Sequence, residues 1–79
     1  MREFRIRLRS VRDVQDFVGL ATTMAFTISV EDSHHRVNGK SFMEMFCLNL
    51  SNPLTVSTEC GDAEFEVFLA AAQRFLVNE

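Results

Sequence analysis

The sequence predicts an α+β fold, an open-faced β-sandwich in which three helices cover one face of a four-stranded antiparallel sheet. The 79 residues suffice for one domain and not for two, so we expect a single domain over residues 1–79. Apolar residues make up 47% and charged residues 24%, which is ordinary globular composition. Segments with the two-residue period of strands alternate with segments of helical period, which gives the order β-α-β-β-α-β-α.

The first half of the chain predicts strand, helix, strand and strand. Apolar and charged residues alternate over residues 4–9, as in a half-buried strand. Ser10 then offers an N-cap oxygen, and Asp13 favours the positive end of a helix that ends near Met24. That helix carries four apolar residues at helical spacing: Val14, Phe17, Val18 and Ala21. Alternation over residues 26–31 predicts the second strand, and the polar turn 32–35 leads to a short third strand at 36–38.

The second half predicts helix, strand and helix. Ser41 caps a short helix after the turn at residues 38–40, with Met45 and Leu48 facing the core. Residues 54–58 alternate as the fourth strand, and Asp62 is the predicted cap of the last helix. The apolar face of that helix consists of Phe65, Phe68, Leu69, Ala72 and Leu76.

Charge is distributed unevenly along the chain. The net charge of −3 argues against a general nucleic-acid binder, although five of the eight basic residues lie in the first twelve positions. Arg5, Arg7 and Arg9 are predicted to share the open face of the first strand, with Glu31 across from them. A solvated sheet face is the simpler interpretation of these arginines, and a surface for an acidic partner is the alternative.

The remaining composition favours a cytoplasmic protein without a metal site. No apolar run approaches the ~20 residues of a membrane span, and the charged first nine residues do not resemble a leader. Cys47 and Cys60 are expected to be reduced, buried and inert thiols. His34 and His35 are adjacent, so they point apart in an extended chain and do not chelate one metal.

One segment carries a family resemblance. Residues 38–48, Asn-Gly-Lys-Ser-Phe-Met-Glu-Met-Phe-Cys-Leu, are similar to the regulatory-serine segment of HPr, the small phosphocarrier of the bacterial sugar phosphotransferase system. The family's segment is typically Lys-Ser-Ile-Met-Gly-Val-Met-Ser-Leu, and the serine, the next apolar residue, the methionine and the closing leucine are in register. The element order matches as well, so the resemblance covers essentially the whole chain.

The family's active-centre motif is altered. HPr proteins carry Gly-(Leu/Ile)-His-Ala-Arg-Pro-Ala, and the same register puts Ser10 at the histidine, Arg12 at the arginine and Asp13 at the proline. Imidazole is a competent nucleophile near neutral pH, whereas a serine hydroxyl needs an adjacent base. The resemblance therefore implies a divergent HPr-like protein that has lost the carrier reaction, with no catalytic residue and no cofactor.

The serine segment supplies the candidate site. The resemblance implies phosphorylation of Ser41 by an HPr-kinase-like enzyme, and a plain N-cap is the compatible alternative. Phe42, Met43 and Phe46 are predicted to form an exposed strip for protein partners, unless a thick core buries them.

These observations predict a non-enzymatic regulatory or adaptor protein of the sugar phosphotransferase or carbon-regulation type. Its expected partners are proteins, either an HPr-kinase-like enzyme or a transcriptional regulator, and not nucleic acid or membrane. Two alternatives stay open: a working phosphocarrier that uses Ser10 or Asp13 as an unusual acceptor, and a module that binds an acidic partner through the arginine-bearing strand.

Overall fold

The computed structural model describes residues 2–77, which form one antiparallel sheet with helices on one face. The strands are β1 (Arg2–Ile6), β2 (Ile28–Glu31), β3 (Arg36–Asn38) and β4 (Leu54–Thr58), and their order in the sheet is β1-β4-β2-β3. The helices are α1 (Val11–Thr22), α2 (Phe42–Met45) and α3 (Asp62–Ala71), and a 3₁₀ helix follows at Gln73–Phe75. The predicted α+β fold and its element order are confirmed.

The strand register separates a buried face from an open face. Directly paired residues of an antiparallel sheet point to the same side. One row across the four strands is apolar and packs under the helices: Phe4, Val56, Val30 and Val37. The adjacent row is polar and lies on the open face: Arg5, Thr55, Glu31 and Arg36. Glu31 therefore shares a row with Arg5, but Thr55 separates the two.

Aromatic rings fill much of the core between sheet and helices. Phe68 of α3 is fully buried, and its ring centroid lies 5.5 Å from that of Phe4, 6.1 Å from Phe17 and 5.9 Å from Phe26. The four predicted core positions of α1 are all buried. Burial of this apolar surface is the main stabilising term of the domain.

The first strand is shorter than predicted and begins earlier. Ile6 pairs with Leu54, the first residue of β4, and Pro53 before it has no amide hydrogen to extend the ladder. Beyond Ile6 the chain therefore leaves the sheet, although the alternation continues and Leu8 is buried. Arg7 N instead donates to Phe75 O at 2.8 Å. Arg7 and Arg9 consequently lie outside β1, and the prediction that they share its open face with Arg5 is wrong.

Other boundaries also differ from the prediction: α2 ends at Met45, before Leu48, and α3 ends at Ala71, before Ala72 and Leu76. β2 begins at Ile28, which pairs with Thr58, the last residue of β4, so Phe26 is buried in the core without belonging to the strand. Gly61, not Asp62, is the N-cap of α3, and its amide donates to Glu64 Oε1 at 3.2 Å.

The connections around the sheet are close. Gly39 after β3 donates to Ile28 O at 2.8 Å, and a Cβ at this glycine would lie 2.8 Å from Ile28 Cγ2. At the other edge, Val77 N donates to Arg5 O at 3.1 Å, so the chain after the 3₁₀ helix pairs with β1. Within residues 2–77, every helix is too short or too polar to cross a membrane.

Candidate functional site

Two side chains cap the start of α1. Ser10 Oγ accepts a hydrogen bond from Asp13 N at 3.2 Å, which confirms the predicted N-cap. Asp13 Oδ2 in turn accepts from Arg9 N at 2.9 Å. The hydroxyl and the carboxylate thereby satisfy backbone donors at and before the helix start. Ser10 and Arg12 are both exposed.

Arg74 joins this helix start to the 3₁₀ helix. Its Nη1 lies 3.2 Å from Asp13 Oδ1 and its Nη2 lies 2.7 Å from Asp16 Oδ2, while its guanidinium stands 4.1 Å from the centre of the Phe75 ring. The Arg9 amide hydrogen bond, followed by Arg74, lowers the pKa of Asp13 below its usual value. The Asp13 carboxylate is therefore ionised at neutral pH, and both of its oxygens are hydrogen-bonded. Local sequence carries no sign of this network, because Arg74 is 61 residues away from Asp13.

Ser41 begins α2 within a connected set of hydrogen bonds. Its Oγ accepts from Glu44 N at 3.3 Å, which confirms the predicted cap, and its amide donates to Asn38 O at 3.0 Å. Glu44 Oε1 accepts from Asn38 N at 3.2 Å. The neighbouring Lys40 directs its Nζ to Met24 O, at 2.7 Å, after the end of α1.

The apolar side chains of α2 divide between core and surface. Met45 is buried, as predicted, whereas Met43 is 79% exposed and Phe46 is 43% exposed. Phe42 is half-buried and packs against the core, and its ring meets that of Phe46 edge to face with centroids 4.8 Å apart. We call Phe42, Met43 and Phe46 the α2 strip. Its outer part is exposed as predicted, but Phe42 is anchored in the core.

A cleft of about 510 Å³ lies between the β1–α1 connection and the segment after α2. Arg7 and Arg9 line one side of it, and Leu50 and Ser51 line the other. Arg7 Nη2 donates to Ser51 O at 3.1 Å, which ties the two segments together. Because α1 also packs against α2, the candidate residues at the two helix starts lie on neighbouring elements.

The chain also contains two cysteines and two histidines. Cys47 is exposed in the turn after α2, so the expectation that it is buried is wrong, and Cys60 is half-buried. His34 and His35 are exposed in the β2–β3 turn, as predicted, with ring centroids 6.4 Å apart. Across residues 2–77, no three His, Cys, Asp or Glu side chains come together in a group suited to a metal ion.

Asp32 fixes the β2–β3 turn to the segment after α2. Its side chain is 5% exposed, and its oxygens accept from His34 N at 2.7 Å, His35 N at 2.6 Å and Asn49 N at 2.8 Å. These hydrogen bonds hold the pKa of Asp32 far below its usual value, and the bond from Asn49 N makes the largest contribution. The sequence indicated a turn at Asp32 but had no signal for its contact with Asn49, 17 residues later.

Solved structures of HPr proteins are similar to this chain over most of its length. The crystal structure of HPr-C-His from Thermoanaerobacter tengcongensis is similar to this chain, with 30% sequence identity and a TM-score of 0.78. The similarity covers 95% of this chain and 91% of that one. The chain belongs to the HPr family. This confirms the family predicted from the sequence.

A second HPr structure shares the fold at lower identity. The phosphocarrier protein HPr from Bacillus anthracis str. Ames is 23% identical and has a TM-score of 0.64, over 89% of this chain and 94% of that one. By sequence, no protein-family model and no curated protein matches the chain. Membership in the HPr family therefore depends on the three-dimensional fold together with the identity to the Thermoanaerobacter structure.

Proposed function

We propose that this HPr-family protein is a regulatory or adaptor protein of the sugar phosphotransferase or carbon-regulation type that works without histidine phosphotransfer. It binds a protein partner through the α2 strip, and phosphorylation of Ser41 controls that binding. The proposal depends on which residues stand at the start of α1. In the register predicted from the sequence, Ser10 takes the place of the family's histidine, and the ionised Asp13 takes the place of its proline.

The chemistry at this position does not favour a phosphate acceptor. A serine becomes a nucleophile when a general base takes its proton, but the contact of Ser10 Oγ is with the amide of Asp13, a donor. Asp13 as the acceptor would have to give up its hydrogen bonds to Arg9 and Arg74.

The surface beside Ser41 suits a protein partner. Met43 and Phe46 expose apolar area within five residues of Ser41, and such area is favourable to bury on binding. A phosphate on Ser41 adds about −1.5 to −2 charge next to that area. A partner that covers the area would then also have to desolvate the phosphate, which costs free energy. The kinase would form the bond between Ser41 Oγ and the γ-phosphorus of ATP while the bond to ADP breaks, and the hydroxyl proton would leave to the enzyme. Membership in a family that includes a phosphocarrier protein supports protein partners for this chain.

Two incubations followed by intact mass measurement test the proposal. The first uses phosphoenolpyruvate and the first enzyme of the phosphotransferase system, with the Bacillus anthracis HPr as the positive control. We expect acid-labile phosphate on the control and none on this protein, and stoichiometric acid-labile phosphate here would refute the loss of carrier chemistry.

The second incubation uses an HPr kinase and ATP, with Ser41→Ala as the control variant. We expect acid-stable phosphate on the wild type and none on Ser41→Ala. Phosphate on both proteins, or on neither, would remove Ser41 as the regulated residue.

A further inference from the structure

Glu44 connects Ser41 to the outer edge of the sheet. Its amide donates to Ser41 Oγ at 3.3 Å, and its Oε1 accepts from Asn38 N at 3.2 Å. Asn38 is the last residue of β3, and β3 is an edge strand. The Asn38 amide is therefore an edge donor that a side chain satisfies in place of a further strand.

Glu44 also supplies the negative charge in a cleft along this edge. The cleft has a volume of about 410 Å³, and its charged lining residues are Arg36, Lys40 and Glu44. Asn38 lies in the same lining, so the Glu44 carboxylate sits on the Asn38 amide within the cleft. Removing this carboxylate would free the amide and leave only cations among the charged groups of the lining.

We infer that a phosphate on Ser41 repels the Glu44 carboxylate and releases it from the Asn38 amide at the edge of β3. We call this contact between Glu44 and Asn38, controlled from Ser41, the latch. The inference rests on the proposed phosphorylation of Ser41 and describes how its charge is transmitted. The phosphate adds about −1.5 to −2 charge at the hydroxyl oxygen that contacts the Glu44 amide. Residues three apart in a helical turn lie on the same side, so the phosphate and the Glu44 carboxylate repel each other at short range.

The Glu44 side chain can move out of this contact, whereas Asn38 cannot. It is exposed, so its carboxylate can turn into water and keep its solvation. Asn38 N cannot follow, because the next residue is held by the hydrogen bond from Gly39 N to Ile28 O and the whole strand is paired with β2. Opening the latch thus exposes one amide of β3 and leaves the sheet in place.

The test uses the full chain with phosphoserine installed at position 41 by semisynthesis, and measures amide exchange by NMR. We expect the Asn38 amide to exchange about three- to tenfold faster than in the unmodified protein, which is the loss of one hydrogen bond of ordinary strength. The Val37 amide, in the same strand, serves as the internal control and should keep its exchange rate.

Glu44→Gln is the matched variant, since its amide oxygen can still accept from Asn38 N but carries no charge. In this variant, phosphoserine should change the Asn38 rate by less than about twofold, because the repulsion is absent. An unchanged Asn38 rate in the phosphorylated wild type, or an equal rise in Glu44→Gln, would overturn the latch. The phosphate is installed chemically, so this result does not depend on a kinase. Failure of a kinase to phosphorylate Ser41 would refute the proposed function and leave this result unaffected.

Discussion

Truncation of Phe46 to alanine measures how far the α2 strip lies outside the core. Full burial of a phenylalanine contributes about 1.5–3 kcal/mol, and Phe46 is 43% exposed, so roughly half of that is at stake. Its edge-to-face contact with Phe42 adds about 0.5–1.5 kcal/mol. We therefore expect Phe46→Ala to lower the free energy of unfolding by about 1.3–3 kcal/mol.

Two other truncations bracket this value. Phe68 is fully buried, and Phe68→Ala should cost about 3–5 kcal/mol. Met43 is 79% exposed, and Met43→Ala should stay within about 0.5 kcal/mol. Urea unfolding followed by circular dichroism gives all three values under the same conditions. A loss for Phe46→Ala as large as that for Phe68→Ala would place Phe46 in the core and refute the strip as a docking surface.

Four further predictions address other parts of the molecule. Ser10→His should show little phosphotransfer from the first enzyme of the phosphotransferase system in an intact-mass assay, because Asp13 stands in place of the family's proline at this helix start and an acceptor misplaced by about 1 Å can lose about a hundredfold in rate. Efficient transfer would mean that the family's geometry is retained. The lowered pKa of Asp32 means that its ionised form stabilises the fold above its ordinary value of 3.8 and that this contribution is lost as the pH falls towards the folded-state pKa. The wild type should therefore lose more thermal stability between pH 7 and about pH 3 than Asp32→Asn does, and equal losses would contradict the buried-carboxylate role. Gly39→Ala should lower the free energy of unfolding in urea by about 1–3 kcal/mol, because the added methyl overlaps Ile28. An unchanged unfolding midpoint would show that Ile28 moves to accommodate the methyl group. Cys47→Ala should keep the fold and partner binding, and loss of binding with the fold intact would give the thiol a role.

The helix starts illustrate what local sequence predicts well. Ser10 and Ser41 each cap a helix through the amide three residues later, and both caps were expected from the residue types alone. An N-cap requires only that the next few residues turn, so the whole interaction lies within one segment. The same reasoning failed at α3, where Asp62 was favoured as the cap, because a glycine with extended backbone can also serve as the cap and leaves no side-chain signal.

Local sequence predicts some features of the candidate site and not others. Exposure of Met43 and Phe46 followed from the helical positions left over once Met45 was assigned to the core. The half-burial of Phe42 did not follow, because its contacts are with core residues from elsewhere in the chain. Nothing in the local sequence distinguishes Glu44, and only the turn between β3 and α2 brings its carboxylate to the Asn38 amide.

By itself, the sequence determined the fold class, the order of the elements and the caps of α1 and α2, since period and capping act between residues at most four apart. The tertiary structure alone decided where β1 ends, because that depends on Leu54, 48 positions later, offering the last pairing partner for Ile6. It also decided that Arg74 pairs with Asp13 and that Asp32 accepts a hydrogen bond from Asn49 N, across separations of 61 and 17 residues. Such contacts depend on how the helices and the sheet pack together, and no short-range pattern encodes that packing.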